Sequence, residues 1–418
     1  MMNKMSPLTL ARLLAYLLHN AVTKPGFSAY KPNNYQTFYR NPLPVYDRIL
    51  REQPVFFAPT MASWIVSRYD DVSAGLRDPR LDPNFRLWRF APASQGNSDW
   101  DKVINGLLFT LDKASHTRIR RLTAPAFGPR TISRIEQACA GIVERCLDDI
   151  APGATINFAA QVAQQIPREV VAALVGVKKA DHPRFAALTE SVMLLFDPSQ
   201  NADTRHAQQG VDLMREYIAE RRNNPSDDFL SQLINHVEDG DRITEWEAIG
   251  LVASLIAAGP DTSSDDLNFA IYNMLLNPGV KEQLLADPSL IDNFILEHTR
   301  HNHFGYAAPI RFALEDVEIG GHTIRKGEMI RFLIPAANRD PQVFDRPEQF
   351  DLQRDNLNKV LRYGVGAHFC AGSAIAQTIA RTTLQAWLQR FPQMQLAAEP
   401  VYEKHLTSRR MQSLMLQL

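Results

Sequence analysis

Cysteine is scarce in this sequence: three residues in 418, at positions 139, 146 and 370. So few, and odd in number, they exclude a disulfide framework and suit a reducing compartment. Net charge is missing too. The 45 Lys+Arg and 46 Asp+Glu leave a formal charge of −1, which excludes a histone-like or polyanion-binding protein. With 20 glycines and 26 prolines, neither collagen nor a low-complexity linker protein fits. No run of eighteen apolar residues occurs, so no helical membrane span is expected. The nearest stretch, Leu8 to Leu18, is shorter and interrupted by Arg12. Acidic residues are absent from the first 46 positions, which hold Lys4, Arg12, Lys24, Lys31 and Arg40. A transit peptide or membrane-surface anchor could look like this. Without an Ala-x-Ala cleavage site or a clean amphipathic Arg/Ser pattern, a surface helix leading into a proline-rich entry segment fits better. Internal repeats are absent as well.

What is present reads as a globular protein, 45% hydrophobic and 22% charged, mostly helical with a minor sheet, an α+β chain. Val55–Phe57 and Ser63–Ser67 alternate like strands of a small sheet. From Thr131 the pattern turns helical, with Ile132, Ile135, Cys139, Ile142, Val143, Cys146, Leu147 and Ile150 on one face. Cys139 and Cys146 are expected there as structural thiols. Further helices are expected over 158–176, 205–222, 229–238 and 289–303. One long helix is expected from Thr244 to Asn277, roughly 50 Å at ~1.5 Å per residue. Strand-like segments occupy 310–319 and 322–334, a last helix starts just after Cys370, and 411–418 reads as an edge strand. Length alone suggests two or three domains, yet no stretch reads as an inter-domain linker.

The most informative segment is Tyr363-Gly-Val-Gly-Ala-His-Phe-Cys-Ala-Gly372. Gly364, Gly366 and Gly372 permit a loop folded tightly around one atom. A helix beginning after Cys370 would point N–H groups at the sulfur and, with nearby cations, hold a thiolate. A nucleophilic role needs a base, and His368 at i−2 in a loop is poorly placed to serve. Zinc would want companion cysteines at short spacing. A lone thiolate suits haem iron, whose other ligands come from the porphyrin. The bland alternative is a small buried cysteine in a glycine-rich turn.

This loop resembles the cysteine-ligand signature of the cytochrome P450 family, Phe-Gly-x-Gly-x-His-x-Cys-x-Gly, with Tyr363 in place of phenylalanine. The resemblance implies haem b with Cys370 as axial thiolate, Gly364 in the turn beside it, and His368 near a propionate. Tyr363 keeps the aromatic ring but adds a hydroxyl that bears on redox tuning. Ala257-Ala-Gly-Pro-Asp-Thr262 contains a mid-helix proline that removes one hydrogen bond, at ~3 kcal/mol. Packing alone often causes such kinks, but the segment resembles the family's oxygen-binding groove. There Ala258 would face the haem, Thr262 would hydrogen-bond the dioxygen substrate, and Asp261 would gate proton delivery. His116 and Arg120 share a helix face and resemble the propionate-neutralising His-x-x-x-Arg of bacterial members, with Arg311 as a further propionate ligand. Glu297 and Arg300, an i, i+3 pair, resemble the family's structural Glu-x-x-Arg, with Arg354 or Arg346 as third member.

The sequence departs from the family between Arg300 and Arg311, about one residue longer than usual and without the early proline. His298, His301 and His303 crowd that stretch, but at spacing poor for a second metal site. The resemblance runs from about Tyr39 to the end, so one catalytic domain is expected over 39–418, with an N-terminal extension over 1–38. It implies a cytoplasmic, bacterial-type haem-thiolate monooxygenase of secondary metabolism, using O2. Lacking a Gly-x-Gly-x-x-Gly or flavin-type segment, it would draw electrons from a separate ferredoxin or flavodoxin. Lys113, Arg118, Arg121, Lys359 and Arg362 are expected to form the basic docking patch. By family analogy substrate meets 84–111, the region around Met193–Phe196, Ile256, Ala257 and Ala307–Pro309. Those stretches, apolar with Arg86 and Arg89, suit a medium-sized, mostly hydrophobic molecule with room for an anionic group. Oxidative coupling, peroxide-driven peroxygenase chemistry and a non-catalytic haem sensor are the alternatives left open.

Overall fold

The structure is a computed structural model and describes residues 6–32, 35–91, 98–193, 204–306, 309–405 and 408–418. Helix α1 (Pro7–Thr23) opens the described chain, started by Ser6, whose hydroxyl accepts from the Thr9 amide at 3.2 Å, and by Pro7 in its first turn. Proline suits that position because its missing N–H is an orphan there anyway. Leu13 is buried on the inner face, while Leu8, Leu14, Leu18 and Val22 are exposed. A single carboxylate clamps α1 to the body. Buried Glu328 accepts from Lys24 at 2.6 Å, Trp64 at 2.7 Å, Tyr16 at 2.8 Å and the Arg325 amide at 3.0 Å.

Five strands build the main sheet: β1 (Val55–Ala58), β2 (Ser63–Val66), β3 (Leu81–Asp82), β4 (Ile310–Ala313) and β5 (Met329–Phe332), in the order β1-β2-β5-β4-β3. β1 and β2 pair antiparallel with Val55 opposite Val66, as the alternation of the first two segments implied. β5 runs parallel to β2, Met329 opposite Ser63, so the far end of the chain closes onto its beginning. Each of the two strand-like stretches expected over 310–334 is broken. β4 and β5 are separated by a hairpin, Val317–Ile319 with His322–Ile324. Its turn residues Gly320 and Gly321 take φ of 56° and 77°, which glycine adopts at no steric cost.

The helices carry most of the core. α2 (Lys113–Thr123) is followed by α3 (Pro129–Asp148), which buries Ile135, Cys139, Ile142, Val143 and Leu147. Cys139 is buried, Cys146 only half-buried, and desolvation pushes both thiols up to about 11, as inert structural groups. The stretch expected as a helix over 158–176 is a π turn, Ala159–Ala163, running into Gln165–Val175. Thr204–Asn223 is helical, whereas 229–238 ends early at Asn235 and gives way to a hairpin, Val237–Glu238 with Asp241–Arg242.

The long helix expected from Thr244 to Asn277 is two: α4 (Glu245–Ala258), opened by a Thr244/Glu247 capping box, and α5 (Pro260–Leu276). Pro260 has no N–H to give Ile256, so the ladder parts at Gly259. α6 (Ile291–His301) and α7 (Ser373–Arg390) pack on α5, and α7 also on α3. The single edge strand expected over 411–418 is two strands, of which Met411–Ser413 pairs with Val401–Tyr402 in a two-stranded sheet. Met415–Gln417 lies in the middle of a three-stranded sheet, between Gln395–Leu396 and Thr155–Asn157, with Leu416 fully buried. No helix among the described residues is long and apolar enough to cross a membrane.

Candidate active site

The cysteine loop is built by two backbone conformations that favour glycine. Gly364 and Gly366 have φ of 69° and 81°. At Gly366 a Cβ would meet the Leu76 carbonyl at 2.8 Å, so no larger residue fits there. The loop closes by the Cys370 amide bonding to the Tyr363 carbonyl at 3.1 Å and the Phe369 amide to Gly366 at 3.0 Å. α7 then starts at Ser373. Cys370 is accessible yet set deep in the protein. Desolvation there raises the pKa of its thiol, outweighing the Gly372 amide, Arg120 and Arg362, which lower it. That direction runs against the expectation that helix end and cations alone would hold a thiolate. A metal ion taking the proton's place would shift that balance. The Tyr363 hydroxyl donates to Gln377 of α7 at 3.3 Å.

Four basic side chains expected to act together do converge. The rings of His116 (α2) and His368 lie 3.9 Å apart. Arg120, one turn along α2, donates to the Phe369 carbonyl at 3.3 Å. Arg311 of β4 is buried and hydrogen-bonds only its neighbour, the Ile310 carbonyl, at 2.8 Å. Burial and then mutual repulsion push His116 down to about 4 and His368 to about 3; burial lowers Arg311 to about 10. Among the described residues none of the four is ion-paired. Buried Asp82 acts on Arg311 without a direct ion pair, and a cluster of cationic and donor groups with so little compensating charge is a site for an external dianion.

The junction of α4 and α5 carries the other expected group. In a helix pair buried almost throughout, Ala258 and Thr262, four residues apart, are the accessible positions, so they form one open face. The Thr262 hydroxyl donates to the carbonyls of Ala258 at 2.5 Å and Gly259 at 3.3 Å, and not to the Ile256 carbonyl that Pro260 leaves without a partner. Asp261 points the other way and pairs with Arg410 at 2.8 Å. Arg410 also reaches Glu403 at 3.7 Å and buried Asp265 at 3.8 Å. Burial pushes Asp265 up to about 7 against the pull of Arg410. A cleft of about 530 Å³ lined by Arg168, His182, Phe185, Ile256, Asp261 and Arg410 leads to this group of one arginine and three carboxylates. Sequence reasoning missed Arg410. Its signal was the acid pair Asp261 and Asp265 at i, i+4, which needs a cation on that helix face.

An accessible thiol beside four basic side chains that make no ion pair among the described residues fits a flat iron-bearing dicarboxylate. The family model described as cytochrome P450 matches residues 56–408. The chain belongs to the cytochrome P450 family. It is 32% identical over 405 residues to the epothilone C/D epoxidase of Sorangium cellulosum, covering 94% of this chain and 95% of that protein. It is 29% identical over 372 residues to the polyketide biosynthesis cytochrome P450 PksS of Bacillus subtilis, 87% of this chain and 91% of the relative. The solved structure of epothilone B-bound cytochrome P450epoK superposes with a TM-score of 0.85 at 31% identity, over 94% of this chain and 99% of that one. The protein is thus a P450 monooxygenase of mainly helical P450 fold with a haem-thiolate cofactor, and these relatives are bacterial.

Other P450 expectations meet the structure unevenly. Glu297 and Arg300 are wholly buried, joined at 2.6 and 2.7 Å, with the Asp351 amide on Glu297 at 2.8 Å. Arg354 is the third member, 3.5 Å from Glu297, while Arg346 is exposed and pairs with Asp345. The expected basic docking patch is largely absent. Arg118 is bound by Asp241 and Glu247, Arg121 by Glu238 and Asp241, and Arg362 is buried against Asp266 at 2.7 Å. Lys113 and Lys359 stay exposed. Among the described residues no group of His, Cys, Asp and Glu could hold a second metal. His298 is instead buried and His301 and His303 half-buried, and desolvation pushes them down to about 4, 4 and 3. In the unusual connection after Arg300, Tyr306 is buried and donates to the His405 carbonyl at 2.6 Å. Ala307, Ala308 and Phe196 lie outside the described residues.

Proposed function

We propose that this P450 oxidises a medium-sized, mostly hydrophobic secondary metabolite, with Cys370 as the axial ligand and electrons from a separate ferredoxin or flavodoxin. The convergence of His116, Arg120, Arg311 and His368 at the cysteine loop, with no direct ion pair to any of them among the described residues, carries this reading. Those four side chains hold the haem propionates; Gly364 keeps the loop clear beside Cys370. When bound, haem splits O2 using two electrons and two protons, passing one oxygen atom to substrate and the other to water.

The chain's own part is proton handling. The Thr262 hydroxyl, held by the Ala258 and Gly259 carbonyls, turns to donate to oxygen on the open helix face. Asp261 carries protons in from the 530 Å³ cleft, and Arg410, paired with it at 2.8 Å, holds its carboxylate outward until needed. Ile256 and Ala257 offer apolar surface to the substrate. The printed names of the relatives, an epothilone epoxidase and a polyketide-pathway P450, support a polyketide-like substrate class. Residues 39–418 form the catalytic domain and 1–38 an extension clamped by Glu328. Three unpaired cysteines suit work in the cytoplasm.

The test is the dithionite-reduced CO spectrum of the purified protein beside Cys370→Ala. A strongly red-shifted Soret band, lost in the variant, is expected. A band at the position of histidine-ligated haem, or a variant unchanged in haem binding, removes Cys370 from the role. Spin-state shifts across a polyketide panel then test the substrate class, and a panel without any shift overturns it.

A further inference from the structure

Arg362 precedes the cysteine loop and reads as a surface cation, yet its side chain is 5% exposed and Asp266, its partner, 10%. The pair is bidentate, at 2.9 and 2.7 Å. The same guanidinium donates to the Ile295 carbonyl at 3.3 Å and to the Thr299 hydroxyl, both on α6. Its carbon lies 5.1 Å from the Tyr363 ring centre. Asp266 follows Thr262 by one helical turn on α5. One buried side chain thus ties together the helix of the open face, α6 and the loop that carries Cys370.

Two buried charges are costly to desolvate, and apolar residues of equal volume often replace such a pair without loss of stability. A purely structural link would need no charge. We propose that the Asp266–Arg362 pair is a positioning device that sets the electron-donating strength of the Cys370 thiolate. This rests on the reading of Cys370 as axial ligand. Arg362 is the member that belongs to the cysteine-loop segment, while Asp266 stands on α5. Tyr363, next to Arg362 in the chain, accepts the Cys370 amide at 3.1 Å, so the guanidinium is held beside the turn that carries the sulfur. The neutral imidazole of His298, 3.6 Å from Asp266, adds no competing charge. A positive group close to a thiolate withholds its electrons from iron and favours the reduced state; Asp266 tempers that effect.

The two charges therefore push the reduction potential in opposite directions. In the holoenzyme, Asp266→Asn should raise the potential and shift the reduced-CO Soret band, because Arg362 then acts uncompensated. Arg362→Gln should lower the potential, and Asp266→Asn with Arg362→Gln should fall between the two. Arg362→Lys, which keeps the charge, should stay near the parent. A structural pair would not produce shifts of opposite sign. Equal-sign shifts, or potentials all equal to the parent with the thiolate CO band intact, overturn the proposal and leave Cys370 in place. Should Arg362→Gln fail to fold, Asp266→Asn alone decides: a rise upholds the proposal, no change or a fall overturns it. A parent without the red-shifted band removes the ligand reading and this proposal together.

Discussion

The acid and the alcohol of the groove have separate tasks, which their substitutions should separate. Asp261→Asn should cut product formation by ~10²-fold, the scale of a lost general acid, while Thr262→Ser should keep most activity and Thr262→Ala divert electrons to hydrogen peroxide. Arg410→Gln should give a smaller loss of product with a raised peroxide yield, and Arg410→Lys should restore coupling. Product and peroxide per electron pair, measured together, check all four; unchanged coupling in Arg410→Gln would remove the clamp from the proton route. The cysteine loop and the acid–alcohol pair were legible because their chemistry sits in a few consecutive residues. Arg410 was not, since its partner lies 149 positions earlier in the chain, in another element. Arg362 was misread for a related reason: a lone arginine in a sequence reads as solvated, and only the fold brings Asp266 to it.

At the scale of elements, the buried Glu297–Arg300 pair locks α6 to the backbone at Pro347, Gln349 and Asp351. Arg300→Leu would strand a wholly buried carboxylate and should cost roughly 3–5 kcal/mol, read from the urea midpoint. A cost below 1 kcal/mol would mean that Arg354 takes over the pairing. Pro260 acts in the opposite sense, by keeping a bond from forming. Pro260→Ala lets the ladder run from α4 into α5 and should stabilise the helix while narrowing the open face; a higher melting temperature with weaker substrate-induced spin shift is expected. Helical periodicity located most of the helices, but it continues across 244–277 and so conceals the break. The strands of 310–334 and the final strand were placed less well. Their lengths are set by Gly320–Gly321 and by partners such as Thr155–Asn157, more than 250 residues away.

For the molecule as a whole, three desolvated histidines tie stability to pH. His298, His301 and His303 resist protonation until about pH 4, 4 and 3, whereas the unfolded chain takes those protons near 6.5. Between these values the unfolded state binds more protons, so stability falls as pH falls, by on the order of 1 kcal/mol per histidine per pH unit. Urea midpoints should drop from pH 7 to pH 5; midpoints that hold steady would show these rings to be protonated and paired in the fold. The electron-donor surface is narrower than the basic residues of the sequence suggested. Lys113→Glu with Lys359→Glu should slow reduction and flatten its salt dependence, while Arg121→Glu should act mainly by breaking its contacts with Glu238 and Asp241.

Glu328 has a practical bearing on how the protein is handled. Tyr16 and Lys24 provide two of its four hydrogen bonds, so a version trimmed to begin at Pro25 would leave an under-solvated carboxylate against Trp64 and bare the aromatic surface where Tyr16 sits against Phe57 and Phe90. A fusion tag placed ahead of Ser6 leaves every one of those contacts in place. The greasy outward leucines of the first helix invite such trimming to improve solubility, but substituting Leu14 and Leu18 by glutamine reaches that end and keeps the fastening intact.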